Sequence, residues 1–147
     1  MKKYILILVV LFLTSCNFNK TYRNREEDKK EAEKITEKYY QLLKENNRQE
    51  AFKLFGEKFF DKKYGKINNK EQLNQMIDDI NTECGDKISN IQLTIWETFV
   101  SMGTNPKSQY VLSYRIERNI QNTQEKFTLE KEDDSIKIVG YDVHFNK

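Results

Sequence analysis

Few side chains in this 147-residue chain have the types and spacing that catalysis or metal binding requires. A Ser-His-Asp or Cys-His arrangement would have to use His144, because it is the one histidine of the sequence. A zinc site needs several His or Cys ligands, and the chain adds two cysteines, Cys16 and Cys84, to that histidine. The acidic run 132–134 lacks the spaced ligands and glycine of a calcium loop. We therefore expect no catalytic residue, no metal and no cofactor.

The histidine and the second cysteine also fall where structural roles are expected. Cys84 ends a stripe of apolar residues at helical spacing, which is typical of a small buried hydrophobe. The alternative is a reactive thiol, but Cys84 has no histidine beside it in sequence to activate it. His144 lies on the strand face opposite Tyr141 and Val143, so we expect it to face solvent.

The N-terminal segment carries the most specific signal of the chain. Lys2 and Lys3 precede ten mostly apolar residues, 4–13, and these end in Leu13-Thr14-Ser15-Cys16. This pattern resembles the lipobox of bacterial lipoproteins, which implies cleavage before Cys16 and a diacylglyceryl group, with acyl chains such as palmitate, on its thiol. Ten helical residues span ~15 Å, whereas a bilayer core needs roughly 20. The segment is therefore predicted to be a signal peptide rather than a membrane span; the alternative is an ordinary secretory signal.

This resemblance implies a membrane-anchored protein of the cell envelope, on the outer membrane or the plasma membrane and facing the periplasm or the exterior. Two acyl chains anchor stably where one binds only marginally. We predict a signal peptide over residues 1–15, a lipidated Cys16 with a polar tether over 16–25, and one folded domain over 26–147. The membrane is thus the first expected partner.

Charge and aromatic content describe the rest of the chain as a folded, formally neutral domain. The chain has 25 basic and 23 acidic side chains. Removal of Lys2 and Lys3 with the signal leaves 23 of each, so no positive field indicates a nucleic-acid partner. Nine Phe, eight Tyr and one Trp are interleaved with the charges, and disordered chains lack such aromatics.

Three helices are predicted before any strand. Residues 25–45 carry apolar positions at helical spacing, with Asn24 as a candidate N-cap. Asn47 with Glu50 caps a second, short helix that Gly56 ends. A third helix begins at Asn69, with Gln72 as its capping partner, and ends at Gly85.

After residue 85 the apolar period changes to the alternation of strands. Four strands are predicted, and in the last of them the apolar positions change parity at Gly140, which indicates a β-bulge. The order predicts an α+β fold in which three N-terminal helices pack on a curved four-stranded antiparallel sheet.

This order resembles the NTF2-like, or cystatin-like, superfamily of cone-shaped domains. The stretches that carry the resemblance are AEKITEKYYQLLKENNRQEAFKLF, KEQLNQMIDDINTECGDKISNIQLTIW and DDSIKIVGYDVHF. The chain looks most like small bacterial lipoproteins and secreted domains of unknown function in that superfamily. NTF2-like enzymes place an acid or a histidine in the cone with a tyrosine as its partner, and Asp142 and Tyr114 are the nearest candidates here. The alternation places Tyr114 inward and Asp142 outward.

Aromatic residues provide the candidate binding surface. A ligand pocket or an interface is predicted among five of them: Trp96, Phe99, Tyr110, Tyr114 and Tyr141. Trp96 alternates with Ile95, so it is expected on the outer face of the sheet, where exposed apolar area would indicate a protein partner or a homodimer. We expect a non-catalytic binding or protein-interaction module. The alternatives are a cone-type isomerase or hydrolase and an envelope immunity protein against a toxin.

Overall fold

The computed structural model describes residues 19–145, which form an open antiparallel sheet with helices on one side. The strands are β1 (Lys20–Arg23), β2 (Ile88–Met102), β3 (Lys107–Arg118), β4 (Thr123–Glu132) and β5 (Ser135–Phe145). The helices are α1 (Glu26–Lys44), α2 (Arg48–Phe52) and α3 (Lys70–Cys84), with a 3₁₀ helix at Glu57–Phe60. The predicted signal peptide and Cys16 lie outside the described residues.

The sheet has five strands in the order β1-β2-β3-β4-β5, and every neighbouring pair is antiparallel. The predicted fold, three helices on a curved four-stranded sheet in the form of an NTF2-like cone, is therefore wrong. The additional strand is β1, within the segment predicted to be a tether, and it pairs with the end of β2. The packing of the helices on the sheet also differs from the prediction. It is α1 that lies across several strands, in contact with β2, β3 and β5.

Two of the three predicted helix caps are present. The Asn47 side chain accepts from the Glu50 amide, and the Asn69 side chain accepts from the Gln72 amide at 2.8 Å. The predicted cap at Asn24 is wrong. Asn24 has a positive φ of 50°, and its side chain accepts from the Thr98 amide instead, so it joins the turn after β1 to the sheet.

Two register shifts decide which side chains face the helices. The shift between Thr128 and Leu129 leaves one extra residue beside Gly140 in β5, which confirms the bulge predicted there. A second shift lies between Leu93 and Ile95 in β2. It reverses the parity of the strand, so that Trp96 packs against the core and Ile95 is 61% exposed. The prediction of an outward Trp96 is therefore wrong.

The core lies between α1 and the sheet and is built around aromatic rings. The Tyr39 ring makes edge contacts with Tyr40, Phe55 and Phe127 at centroid distances of 5.4, 5.6 and 5.5 Å. Phe127 also stacks on Tyr141 at 4.6 Å. Edge-on and offset contacts are the arrangements that the ring quadrupole favours. None of the helices between residues 19 and 145 is long and apolar enough to cross a bilayer.

Candidate functional site

A buried ion pair lies beside this core, at the end of the sheet where β3 ends and β4 begins. The Arg118 Nη2 donates to Glu125 Oε1 at 2.8 Å, and the two side chains are 3% and 0% exposed. The Thr123 hydroxyl donates to the same oxygen at 2.8 Å. The other oxygen, Oε2, accepts from the hydroxyls of Tyr40 at 2.8 Å and Tyr141 at 2.6 Å. Four donors thus converge on one carboxylate.

Arg118 is held from a second side as well. Its Nη1 donates to the Gly85 carbonyl at 3.2 Å and lies 3.4 Å from Asn81 Oδ1, so the end of α3 is tied to the sheet. Burial opposes the charge of the guanidinium, and the adjacent Glu125 carboxylate more than offsets this, so the pKa of Arg118 is raised. Hydrogen bonds to the end of α3 on one side and to Glu125 on the other therefore hold the Arg118 guanidinium in place.

The tyrosines around the pair are held in their neutral form. Burial first, and then the Glu125 charge, raise the pKa of Tyr39, Tyr40 and Tyr141 well above the ordinary value of 10.0. Burial likewise raises the pKa of Tyr114 to about 12, although its hydroxyl is hydrogen-bonded to Thr36 at 2.6 Å. These hydroxyls therefore keep their protons at neutral pH, and those of Tyr40 and Tyr141 donate them to Glu125.

A cavity of about 200 Å³ opens above the ion pair. Its lining comes from the end of α1, the face of α3 and the ends of β2 and β3, and comprises Tyr39, Leu43, Lys44, Asn46, Arg48, Ile77, Ile80, Asn81, Asp86, Ile88, Arg118 and Tyr141. We call it the Arg118 cavity. It lies at the end of the sheet opposite the β2–β3 hairpin, because Ile88 begins β2 and Arg118 ends β3.

Two of the lining side chains carry buried polar atoms that lack a hydrogen-bond partner among the described residues: the Tyr39 hydroxyl and Arg118 Nε. The nearby Tyr141 hydroxyl tempers the rise in the Tyr39 pKa, but its contact with Tyr39 does not have hydrogen-bond geometry. A buried donor left unsatisfied costs ~1–3 kcal/mol. Both atoms are closed to solvent, so an acceptor oxygen in the cavity would offset part of that cost only after a shift of the cavity wall brings it to them.

Charged side chains surround the mouth of the cavity. Arg48 is paired with Asp78 at 2.6 Å and with Asn74 at 2.8 Å, so its charge is already compensated. Lys44 and Asp86 are exposed, and neither forms an ion pair within residues 19–145. The mouth therefore offers one uncompensated cation and one uncompensated anion to a ligand.

The five aromatic residues predicted as a ligand or interface set do not form one surface. Tyr110, Tyr114 and Tyr141 are buried, and Tyr141 lines the Arg118 cavity. Trp96 lies under α1, where the Lys29 ammonium is 5.3 Å from its ring. Phe99 is half-buried, and the Arg23 guanidinium lies over its ring, 5.5 Å from the ring centroid. The set is therefore divided between the core, one cavity and the edge of the sheet.

The residues tested for catalysis are not brought together either. Asp142 and His144 are exposed, as the strand alternation predicts, and Tyr114 is buried and bonded to Thr36. Cys84 is fully buried, as predicted, and burial raises the pKa of its thiol. No acid–base pair forms between Asp142 and Tyr114, because they face opposite sides of the sheet.

The sequence reasoning did not identify Arg118 or Glu125. A signal was present, because both occupy strand positions that alternate with buried apolar residues: Arg118 follows Ile116 by two, and Glu125 precedes Phe127 by two. Two opposite charges at inward positions of adjacent strands indicate a buried pair.

Comparison with protein-family models, with curated proteins and with solved structures finds no match for this chain, so its resemblance to lipoproteins stays a prediction.

Proposed function

We propose that this protein is a lipid-anchored module of the bacterial cell envelope that binds a small polar ligand in the Arg118 cavity and does not transform it. The lipobox-like segment before Cys16 supports the anchor. The observation that carries the binding proposal is the pair of buried, unpartnered donors, Tyr39 Oη and Arg118 Nε, in side chains that line one cavity.

The chemistry of the cavity favours a ligand with acceptor oxygens. The two buried groups are donors, and so is the Lys44 ammonium at the mouth. An apolar cavity of about 150 Å³ holds benzene, so the 200 Å³ here suits a molecule of the size of one amino acid or one monosaccharide. A small carboxylate fits both the size and the donors, and hydrogen bonds to charged donors are the stronger kind.

Binding without catalysis is supported by the state of Glu125. A general base needs a lone pair directed at the substrate proton. Here both carboxylate oxygens accept two hydrogen bonds each, and the residue is fully buried behind Arg118 and Tyr141. Glu125 is thus better suited to holding donors in place than to moving protons.

A protein partner at the outer face of the sheet has less support. Ile95 is exposed there, but it lies in a row with Ser113, Lys126 and Asp142 along the strand pairing. A row that alternates apolar, polar and charged side chains lacks the contiguous apolar area of an interface core.

Titration with defined small molecules tests the binding proposal. The chain from residue 16 onward, with Cys16→Ala, would be titrated with acetate, succinate, glutamate and glucose while backbone amide resonances are followed. We expect saturable shifts around Asn81 and Ile88 for at least one carboxylate. Tyr39→Phe should weaken that binding about tenfold, since one hydrogen bond contributes ~1.4 kcal/mol. Tyr64→Phe, at a tyrosine that is 63% exposed, is the matched control and should change nothing. No saturation with any probe, or equal binding by Tyr39→Phe, would contradict the proposal.

A further inference from the structure

The first described residue is fixed against the hairpin that joins β2 to β3. Asn19 Oδ1 accepts from the Thr104 amide at 3.4 Å. Gly103 lies so close to Asn19 that an added Cβ would be 2.0 Å from the same oxygen. Lys20 then pairs with Met102 at the start of the β1–β2 ladder. The chain therefore enters the fold at this hairpin.

This entry point limits the distance between the fold and the predicted lipid. The path from Cys16 to Asn19 contains three residue steps, and each spans at most ~3.6 Å. A lipidated Cys16 lies at the membrane surface, so Asn19 lies within about 11 Å of that position. A flexible tether through residue 25 would allow a much larger distance between the lipid and the domain. Residues 20–23 cannot act as such a tether, because they form β1 and are part of the sheet.

The surface around the entry point carries two exposed lysines and two exposed apolar side chains, beside a groove that also holds the exposed acids Glu27, Glu31, Asp133 and Asp134. Lys20 and Lys107 are exposed, and neither has an ion-pair partner within the described part of the chain. Between them Met102 is 54% exposed, and Pro106 is exposed beside it. Lysines attract anionic headgroups within a Debye length, and apolar side chains between them enter the interface.

We propose that this corner, Lys20 with residues 102–107, is a membrane-contact surface for anionic phospholipid, which holds the domain upright with the Arg118 cavity facing away from the bilayer. The inference rests on the lipid anchor of the proposed function. The twelve residues of β3 run from the corner to Arg118, and eleven steps of ~3.3 Å give about 36 Å. The cavity mouth then opens well beyond the headgroups.

The competing orientation, with the outer sheet face flat on the membrane, is less compatible with that face. Exposed Glu97 and Asp142 lie among its basic residues Arg115 and Lys126. Such mixed charge gives no net attraction to anionic lipid. The corner also has acidic neighbours across the groove, but it adds exposed apolar atoms and lies at the place where the chain must meet the membrane.

Fluorescence quenching from the membrane tests the orientation. The lipidated protein would be reconstituted in phosphatidylethanolamine–phosphatidylglycerol vesicles that contain a headgroup-nitroxide lipid. A fluorophore would be attached at Thr104→Cys or, as the matched control, at Ile120→Cys, which is 65% exposed at the opposite end of β3. We expect several-fold stronger quenching at position 104. Equal quenching at both positions, or stronger quenching at 120, would overturn the proposal.

The contribution of the lysines is tested in the same vesicles. The Lys20→Glu/Lys107→Glu double variant should reduce quenching at position 104 at least twofold, whereas Lys87→Glu, an exposed lysine at the cavity end, should leave it unchanged. Unchanged quenching in the double variant would overturn the role of anionic lipid.

The intact mass of each preparation separates the failure of the lipid anchor from the failure of the orientation. Unmodified Cys16 overturns the anchor and the orientation together, whereas lipidated protein with equal quenching overturns the orientation alone.

Discussion

Replacement of Glu125 by Gln should destabilise the protein far more than an ordinary Glu→Gln change. The side chain keeps its size but loses its charge, and one of its two terminal atoms becomes a donor. Two donors approach each carboxylate oxygen, at 2.6–2.8 Å. Whichever way the amide turns, its NH₂ group faces two donors, and Arg118 is left as a buried charge without a counter-ion. Removal of one partner of a buried pair costs ~3–5 kcal/mol.

That cost is a large part of the total stability, since domains unfold with ~5–15 kcal/mol. Urea unfolding, followed by circular dichroism and analysed by linear extrapolation, measures it directly. We expect the midpoint to fall sharply with little change in the denaturant slope. Glu50→Gln is the matched control, because Glu50 forms an exposed pair with Lys53, and exposed pairs contribute ~0–1 kcal/mol.

A double variant separates the loss of the charge pair from the loss of one partner. Arg118→Met/Glu125→Leu removes both charges, and apolar replacement of a buried pair is often neutral or stabilising. We expect this variant to be more stable than Glu125→Gln. A Glu125→Gln protein within ~1 kcal/mol of wild type would refute the reasoning that the carboxylate organises four donors.

Three further predictions concern the neighbours of this pair. Burial raises the pKa of Tyr39, Tyr40 and Tyr141 above 10.0. Above pH 10 the unfolded state loses these protons first, so stability should fall by ~1.4 kcal/mol per tyrosine per pH unit. The share of the tyrosinate absorbance that these three contribute should rise together with unfolding rather than before it. Gly85→Ala should lower the free energy of unfolding by ~1–2 kcal/mol, because φ is +94° and the added Cβ would lie 2.0 Å from a side-chain oxygen; unchanged urea stability would contradict this. Cys84 is fully buried with a raised thiol pKa, so a disulfide reagent should modify it only in urea, and rapid modification of the native protein would contradict its placement.

Local signals predicted the positions of three helices along the chain, two of their caps and one bulge. Asn47 and Asn69 accept from backbone amides at the starts of α2 and α3, because a cap is specified by a few neighbouring residues. The parity change at Gly140 marks a true bulge for the same reason, since alternation is read along a single strand.

Features that depend on pairing with distant strands were not predictable in this way. Lys20–Arg23 has no apolar alternation, and it becomes a strand because β2 extends far enough to offer it an edge. The bulge near Thr94 has no glycine to mark it, so Trp96 was placed on the wrong face. The cavity depends on where the end of α1 meets the ends of β2 and β3, which periodicity does not specify.

The most direct test of the anchored module is the intact mass of the protein isolated from its own membranes, with Cys16→Ala as control. The account predicts a chain that begins at Cys16 and carries at least a diacylglyceryl group, with the modification and the membrane association both lost in Cys16→Ala. An unmodified chain in the soluble fraction would contradict the anchor and, with it, the proposal that the cavity is displayed above a membrane.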